Sequence, residues 1–187
     1  MALTTVKTSA LSGNINLTSQ VTGALPTANG GTGATSFSPG KILQVVQATH
    51  GTQTSNNSSS YQASGLTANI TPSATSSKIL IQHQLPFYQD GNGGSIISCI
   101  HALFKGGSNL NEYGSAWGMT SRSINYAYQG VGFYRDAPNT TSQLTYDIRY
   151  KPYDTGEGQI IYSCPDSTYG GLGADSQATL ILMEIGA

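Results

Sequence analysis

Short stretches in which apolar and polar residues alternate, each closed by turn-forming residues, run through this chain from residue 41 onward. Segment 78–85 reads KILIQHQL, and segment 143–151 reads QLTYDIRYK. A period of two places successive side chains on opposite faces of a β-strand, whereas an amphipathic helix needs a period near 3.6. The pattern therefore predicts an all-β domain, and no segment of the chain makes a compelling helix.

Eight strands separated by turns are predicted in the second part of the chain. They cover 41–48, 61–70, 78–85, 95–105, 122–135, 143–151, 159–164 and 177–185. The fifth is interrupted by Gly130 and Gly132, which favour a bulge or a split. Segment 106–121, with the only tryptophan, Trp117, reads as a long loop. This pattern indicates a β-sandwich or a barrel, and we predict a jelly-roll-like β-sandwich over residues 37–187.

The small number of charges excludes several classes of function. Charged residues make up 9% of the chain and the net charge is −1, against about 25% charged residues in typical soluble domains. A nearly neutral chain does not bind nucleic acid by bulk attraction to phosphates. The longest apolar runs are too short to span a membrane, and the opening residues lack the pattern of a secretory signal. We therefore expect a protein that is made in the cytoplasm.

The two cysteines, Cys99 and Cys164, lack the spacing of a metal site or a disulfide framework. Most simply they are small buried side chains on strands. A single bridge between them stays open, provided that their strands are neighbours.

The first 36 residues differ from the rest. They contain one charge, at Lys7, and scattered aliphatic residues that follow neither the helical nor the strand period. The run Asn29-Gly30-Gly31-Thr32-Gly33 breaks any helix. Because an isolated segment of this kind cannot bury its aliphatic side chains, we predict an extended arm or shaft that packs against identical neighbours. Plain disorder is the alternative.

One motif in this arm resembles a known family. Segment 15–35, INLTSQVTGALPTANGGTGAT, is similar to the LPxANGGTG segment of bacteriophage tail-fibre and related virion proteins. Segments 38–54 and 64–81 and the closing YGGLGADSQATLILMEI resemble the globular domain of marine and cyanobacterial phage structural proteins, whereas residues 87–153 match none of them. The resemblance implies a virion component, exposed on the particle and homotrimeric, whose arm contacts other virion proteins.

Loop aromatic residues are the best candidates for recognition of a host glycan, because their rings stack on sugars while neighbouring polar groups bind the hydroxyls. If strands run alternately up and down, loops 49–60, 86–94, 136–142 and 165–176 lie at the end away from the arm, and loops 71–77, 106–121 and 151–158 lie beside it. The predicted receptor-binding residues at the far end are Tyr88, Asp90, Asp166 and Tyr169. Trp117 is then placed near the arm or between subunits.

Catalysis and cofactor binding find little support. Glycan hydrolysis needs two carboxylates about 5–9.5 Å apart, and only Asp154 and Glu157 share a turn. The glycine run 30–33, with Gly40-Lys41 after it, lacks the spacing, the Ser or Thr after the lysine and the helix of a phosphate-binding loop, and the run 170–173 precedes a strand rather than a helix. No two histidines are spaced i, i+2 on one strand, so no metal is expected. His83 would present three imidazoles to an ion only on a trimer axis, and a core or interface histidine is favoured.

These observations leave three functions open. The first is a trimeric tail fibre that is anchored by residues 1–36 and binds a host-surface glycan. The second is a capsid decoration or head-fibre protein whose arm grips the shell, which the shortness of the arm favours. The third, a glycan-degrading enzyme, is disfavoured because the chain lacks the length and repeats of β-helical depolymerases. No enzymatic activity is therefore predicted.

Overall fold

The computed structural model of this protein describes residues 41–90, 96–120, 126–153, 160–165 and 176–186. The side chains of 90, 96–98, 115–120 and 126 fall outside this description. All described residues belong to the second of the two units into which the chain divides, Gly40–Ala187. The predicted arm, residues 1–36, lies outside the described residues and stays a prediction.

The described part of the chain is all-β, as predicted, and contains no helix that could cross a membrane. Its strands are β1 (Lys41–His50), β2 (Thr54–Asn56), β3 (Gln62–Ile70), β4 (Lys78–Asp90), β5 (Ile96–Lys105), β6 (Ser108–Thr120), β7 (Tyr126–Asp136), β8 (Leu144–Pro152), β9 (Ile160–Ser163) and β10 (Ala178–Gly186).

Two antiparallel sheets pack face to face. Sheet A contains β1, β10, β4, β9 and β2 in that order, with β7 on the other side of β4, and sheet B has the order β3-β8-β5-β6. Both β9 and β10 pair with β4, one with each half of it. In the same way, β1 pairs with β10 and β2 with β9. β1 and β2 therefore act as one interrupted long strand, and β9 and β10 act as another.

Counted in this way, eight long strands form two four-stranded sheets. Numbered along the chain, the first long strand is β1 with β2, the next six are β3 to β8, and the eighth is β9 with β10. Sheet A then has the order first, eighth, third and sixth, and sheet B has the order second, seventh, fourth and fifth. This is the strand order of a jelly roll, in which two Greek keys fold over one another. The predicted jelly-roll-like β-sandwich is confirmed.

The register places each connection at one of two ends. At the end where β1 begins, here the Lys41 end, β4 begins at Lys78 and β7 finishes at Asp136. The opposite, far end has the last residue of β4, Asp90, beside Ile160, the first of β9. The connections β2–β3, β4–β5, β6–β7 and β8–β9 therefore start and finish at the far end.

The predicted loop 106–121 is wrong, because β6 occupies most of it. Gly106 and Gly107 both have positive φ, 54° and 85°, as a two-residue hairpin turn requires. They join β5 directly to β6. The Gly-Gly pair was the available signal, whereas SNLNEYGSAWGMT shows no alternation that would indicate a strand.

The missed strand reverses the predicted position of later loops. Loop 136–142 was expected at the far end, but it follows β7 at the Lys41 end, and loop 151–158 follows β8 at the far end. Loop 165–176 was also expected at the far end. It leaves the sheet partway along β4, because Ser163 pairs with Phe87 and Thr179 pairs with Gln84. The Ser176 hydroxyl donates a 2.6 Å hydrogen bond to the Pro165 carbonyl, which ties the two ends of this loop together.

The bulge expected at Gly130 and Gly132 is absent, since β7 pairs with β4 without a register shift. These glycines instead make room for rings in the core. A Cβ on Gly132 would overlap the His83 ring and lie 2.7 Å from Cζ of Tyr113. A Cβ on Gly130 would lie 2.6 Å from Cε2 of Phe87.

Candidate functional site

The outer face of sheet A is apolar. Buried residues of β4, β7 and β10 alternate with residues that point away from the core. Val131 and Phe133 on β7 are 54% and 67% exposed, and Val45 on β1 is 58% exposed. We name the outward-pointing apolar residues of β1, β4, β7 and β10 the apolar face. It contains Leu43, Val45, Leu80, Val131, Phe133, Ile181, Met183 and Ile185.

Cross-strand pairing makes this face continuous. Val45 pairs with Met183, which pairs with Leu80, so one apolar row crosses three strands. Phe133 lies opposite Gln82, which pairs with Ile181 on its other side. The cause lies in the sequence, because β10, ATLILMEIG, is apolar at both parities. Strands of this composition are normally covered on both faces.

A shallow groove of about 180 Å³ lies on this face. Its walls come from Phe133, Val131 and Ile181, with Gln82, Gln84 and Thr179 around them. No charged side chain lines it. The Gln84 amide donates a 3.1 Å hydrogen bond to Oε1 of Gln129, so its polar groups are neutral and partly paired.

The outer face of sheet B is different, because its aromatic and charged side chains satisfy each other. The guanidinium of Arg149 lies 4.3 Å from the centre of the Phe104 ring, and Nζ of Lys151 lies 4.6 Å from that of Tyr61. Tyr61 donates a 2.6 Å hydrogen bond to Glu112. Burial, and then this hydrogen bond to a carboxylate, raise the pKa of Tyr61. Sheet B therefore presents a polar face, and sheet A an apolar one.

Two histidines meet between the sheets. His83 of β4 is 5% exposed and His101 of β5 is 3% exposed, and their ring centroids are 5.2 Å apart at an interplanar angle of 79°. Tyr113 of β6 contacts both, stacking on His101 at 5.2 Å and meeting His83 edge-on at 5.0 Å. Neither ring nitrogen of His83 has a hydrogen-bond partner among the described residues.

This environment keeps both imidazoles neutral. Burial and, second, the proximity of His101 lower the pKa of His83 to about 3. Burial lowers that of His101 to about 4, against a smaller opposing effect of the Val131 carbonyl. Desolvation disfavours a cation, so a protonated form would lose its hydration without gaining a carboxylate partner.

Two buried carboxylates lie near the Lys41 end. Glu184 accepts hydrogen bonds from Nε2 of Gln44 at 2.6 Å and from the backbone N–H and hydroxyl of Ser73, each at 2.7 Å. Burial opposes its ionisation, but hydrogen bonds from Ser77, Ser73 and Gln44 lower its pKa to about 2. Asp136 accepts 2.7 Å bonds from Lys105 and from the Tyr146 hydroxyl. Both carboxylates bind partners within the chain, which indicates a structural role.

Of the four predicted receptor-binding residues, Tyr88 and Asp90 lie among the described residues, both on β4. Tyr88 was placed in a loop, which is wrong: it lies within β4, is 5% exposed and packs 6.2 Å from the Tyr162 ring. A ring this deeply buried presents no face to a ligand. Asp90 ends β4 at the far end, as expected. Asp166 and Tyr169 lie outside the described residues, so a role in binding stays a prediction for them.

Other predicted features have definite positions. Cys99 and Cys164 are both buried and unbridged, as the simplest interpretation held, although Cys164 follows β9 directly rather than lying on it. His83 is a core residue, 5% exposed, as the favoured interpretation held. Trp117 lies on β6, not in a loop. Asp154 and Glu157 lie outside the described residues.

Within the described ranges, no three His, Cys, Asp or Glu side chains converge closely enough to hold a metal ion. Sequence reasoning missed both the apolar face and the histidine pair. The double apolar parity of β10 was the available signal for the face. No sequence signal indicates that His83 and His101 lie opposite each other.

Comparison with known proteins gives little further information. No protein-family model and no curated protein matches the chain. Among solved structures, that of the infectious bursal disease virus Gt strain is 14% identical, with a TM-score of 0.32, over 78% of this chain and 39% of that one. The crystal structure of the infectious bursal disease virus VP2 subviral particle is 16% identical, with a TM-score of 0.30, over 77% and 38%. The chain thus spans about two fifths of their length, and nothing about its function is inferred from similarities this weak.

Proposed function

We propose that this chain is a structural protein of a bacteriophage virion, a homotrimeric tail fibre. Residues 1–36 attach it to the particle, and the far end of the sandwich contacts a host-surface glycan. The LPxANGGTG resemblance supports the virion assignment and the tail. The apolar face is the observation that carries the assembly role.

The size of the apolar face argues for a protein partner. It crosses four strands, whereas isolated exposed apolar residues are common on any surface and need no explanation. The face has no carboxylate, and Arg135 and Lys78 lie toward the Lys41 end. Around Val131, Phe133 and Ile181 the face has no charged side chain, so this part of it can meet a copy of itself without burying like charges. Closed symmetry is the usual way in which identical chains cover such surfaces.

The far end is the proposed site of host contact because four connections start and finish there. Weak sites repeated by threefold symmetry gain avidity without a strong single contact. Because Tyr88 is buried, it is no longer proposed as a contact residue, whereas Asp90 still is. Tyr169 lies between β9 and β10 in the sequence, strands that pair with the two halves of β4, and its substitution is the comparison for the far end.

The assembly role is tested by light scattering of the full chain after size-exclusion chromatography. We expect three copies for the wild type and a smaller species for Phe133→Asp and Val45→Asp, which place a charge on the apolar face. Ala63→Asp, an equivalent change on the outer face of sheet B, is the control and keeps the trimer. A monomeric wild type, or variants that all remain trimeric, would contradict the proposed interface.

Location and host contact need intact particles. Antibody labelling at the tail supports the fibre, and labelling over the shell supports instead the capsid decoration protein that the short arm favours. Adsorption to host cells should fall for Asp90→Ala if the far end binds the receptor. Reduced adsorption only for Tyr169→Ala would move the receptor site to the segment between β9 and β10.

A further inference from the structure

We propose that His83 and His101 form an acid-sensitive lock between the two sheets. The sandwich stays closed at this layer while both imidazoles are neutral, and it opens when they take up protons from solvent. This inference does not depend on the proposed function.

At the level of His83 and His101, ionisable rings from the two sheets contact each other across the sandwich. In sheet A, His83 lies between Gly132 and Leu180, which pair with it from β7 and β10. In sheet B, His101 lies between Tyr113 and Tyr150, from β6 and β8. The glycine leaves space that the His83 ring fills, so the imidazole pair, with Tyr113 against His83, makes the contact between the sheets at this layer.

Among the residues that the structure describes, no anion at this layer stabilises a protonated ring. The other titratable groups near the pair are Tyr113, Tyr128, Tyr150 and Cys99, and burial raises the pKa of each of them, so they remain neutral. No carboxylate shifts the pKa of either imidazole among the described residues. The buried acid Asp136 binds Lys105 and Tyr146. The other buried acid, Glu184, binds Gln44 and Ser73. Two cations 5.2 Å apart would also repel each other.

The direction of the effect follows from proton linkage. The pKa values of the two rings in the folded state, about 3 and about 4, lie below the unfolded value of 6.5. The unfolded or opened state therefore binds more protons, and stability is complete above pH 6.5 and decreases as the pH falls below it. Net uptake approaches two protons near pH 5, where the opening equilibrium constant rises by close to 100-fold per pH unit, and the slope is about 30-fold per unit near pH 6 and pH 4.

The test is urea unfolding of the full chain at a series of pH values from 7.5 to 4.5. The dependence of the unfolding constant on pH gives the number of protons taken up. For His83→Phe combined with His101→Phe, we expect uptake to fall by about two protons per chain relative to the wild type. His50→Gln removes a histidine outside the pair and should keep most of the wild-type dependence. Equal uptake in the wild type and the double variant would overturn the proposal.

A second measurement needs no substitution, in case the double variant does not fold. In the folded wild type, the imidazole proton resonances of His83 and His101 should keep neutral-form shifts down to about pH 5. Midpoints near 6.5 for these two resonances in the folded protein would overturn the lock. Loss of near-ultraviolet tyrosine dichroism below pH 5, reversed at pH 7, is the expected sign of opening.

Discussion

Nζ of Lys105 on β5 lies 2.7 Å from Oδ2 of Asp136 on β7, and this ion pair joins sheet B to sheet A near the Lys41 end. The same carboxylate oxygen accepts a 2.7 Å hydrogen bond from the Tyr146 hydroxyl of β8. Burial, and second this bond, raise the pKa of Tyr146. Polar contacts therefore hold this end of the sandwich, whereas neutral rings fill its middle.

Asp136→Asn should destabilise the domain by about 2 kcal/mol, because it leaves Lys105 without a counter-charge in a partly buried site. The measurement is urea unfolding at pH 7. Asp147→Asn is the matched control, since it breaks the ion pair with Arg149 on the outer face of sheet B. This pair is half-buried but lies on the solvent side of its sheet, where ion pairs typically contribute about 1 kcal/mol or less. Equal losses for the two variants would contradict a special role for the buried pair.

Gly132→Ala should destabilise the domain by about 2 kcal/mol, because overpacked core positions typically cost 1–3 kcal/mol. The added methyl group would overlap the His83 ring and crowd Tyr113. Gly114→Ala on β6 is the control, as nothing lies within 4 Å of the Cβ that it adds. Thermal unfolding of both variants checks the difference, and a Gly132→Ala variant as stable as the wild type would show that the layer is loosely packed.

Glu184→Gln should remove the contribution of this carboxyl to the loss of folding stability at low pH. The pKa of this carboxyl is lowered to about 2 in the folded state, so its contribution is complete above about pH 4.5 and is lost as the pH falls toward 2. The variant should be less stable at pH 7, because the amide places N–H groups against the donors of Gln44 and Ser73. Stability measured between pH 4.5 and 2 should change less steeply than in the wild type. Glu112→Gln, an exposed acid on sheet B, is the control.

The two cysteines should be unreactive in the native protein. Burial raises the pKa of Cys99 to about 12 and also raises that of Cys164. Because the thiolate is the reactive form, a disulfide reagent at pH 8 should label neither thiol in the folded chain and both in urea. A mass 2 Da lower than that of the reduced chain would instead demonstrate a bridge and contradict the structure.

Strand prediction succeeded where the period of two was strong. The strands at 78–85 and 143–151 appear as β4 and β8, because one face of each meets the core. Prediction failed at β6, whose sequence does not alternate, and this one error misplaced the loops after it. Tyr88 was assigned to a loop because Pro86 and the glycines after Asp90 suggest a turn, but β4 continues through the proline to Asp90.

The sequence by itself determined the class of fold, since alternation with a period of two is a local property that β-strands satisfy and helices do not. Tertiary structure alone decided which residues face each other across the sandwich. His83 and His101 are 18 positions apart and lie on different sheets, and their contact depends on registers set with β7, β8 and β10. Long-range strand pairing fixes these registers, and no local pattern in the chain contains them.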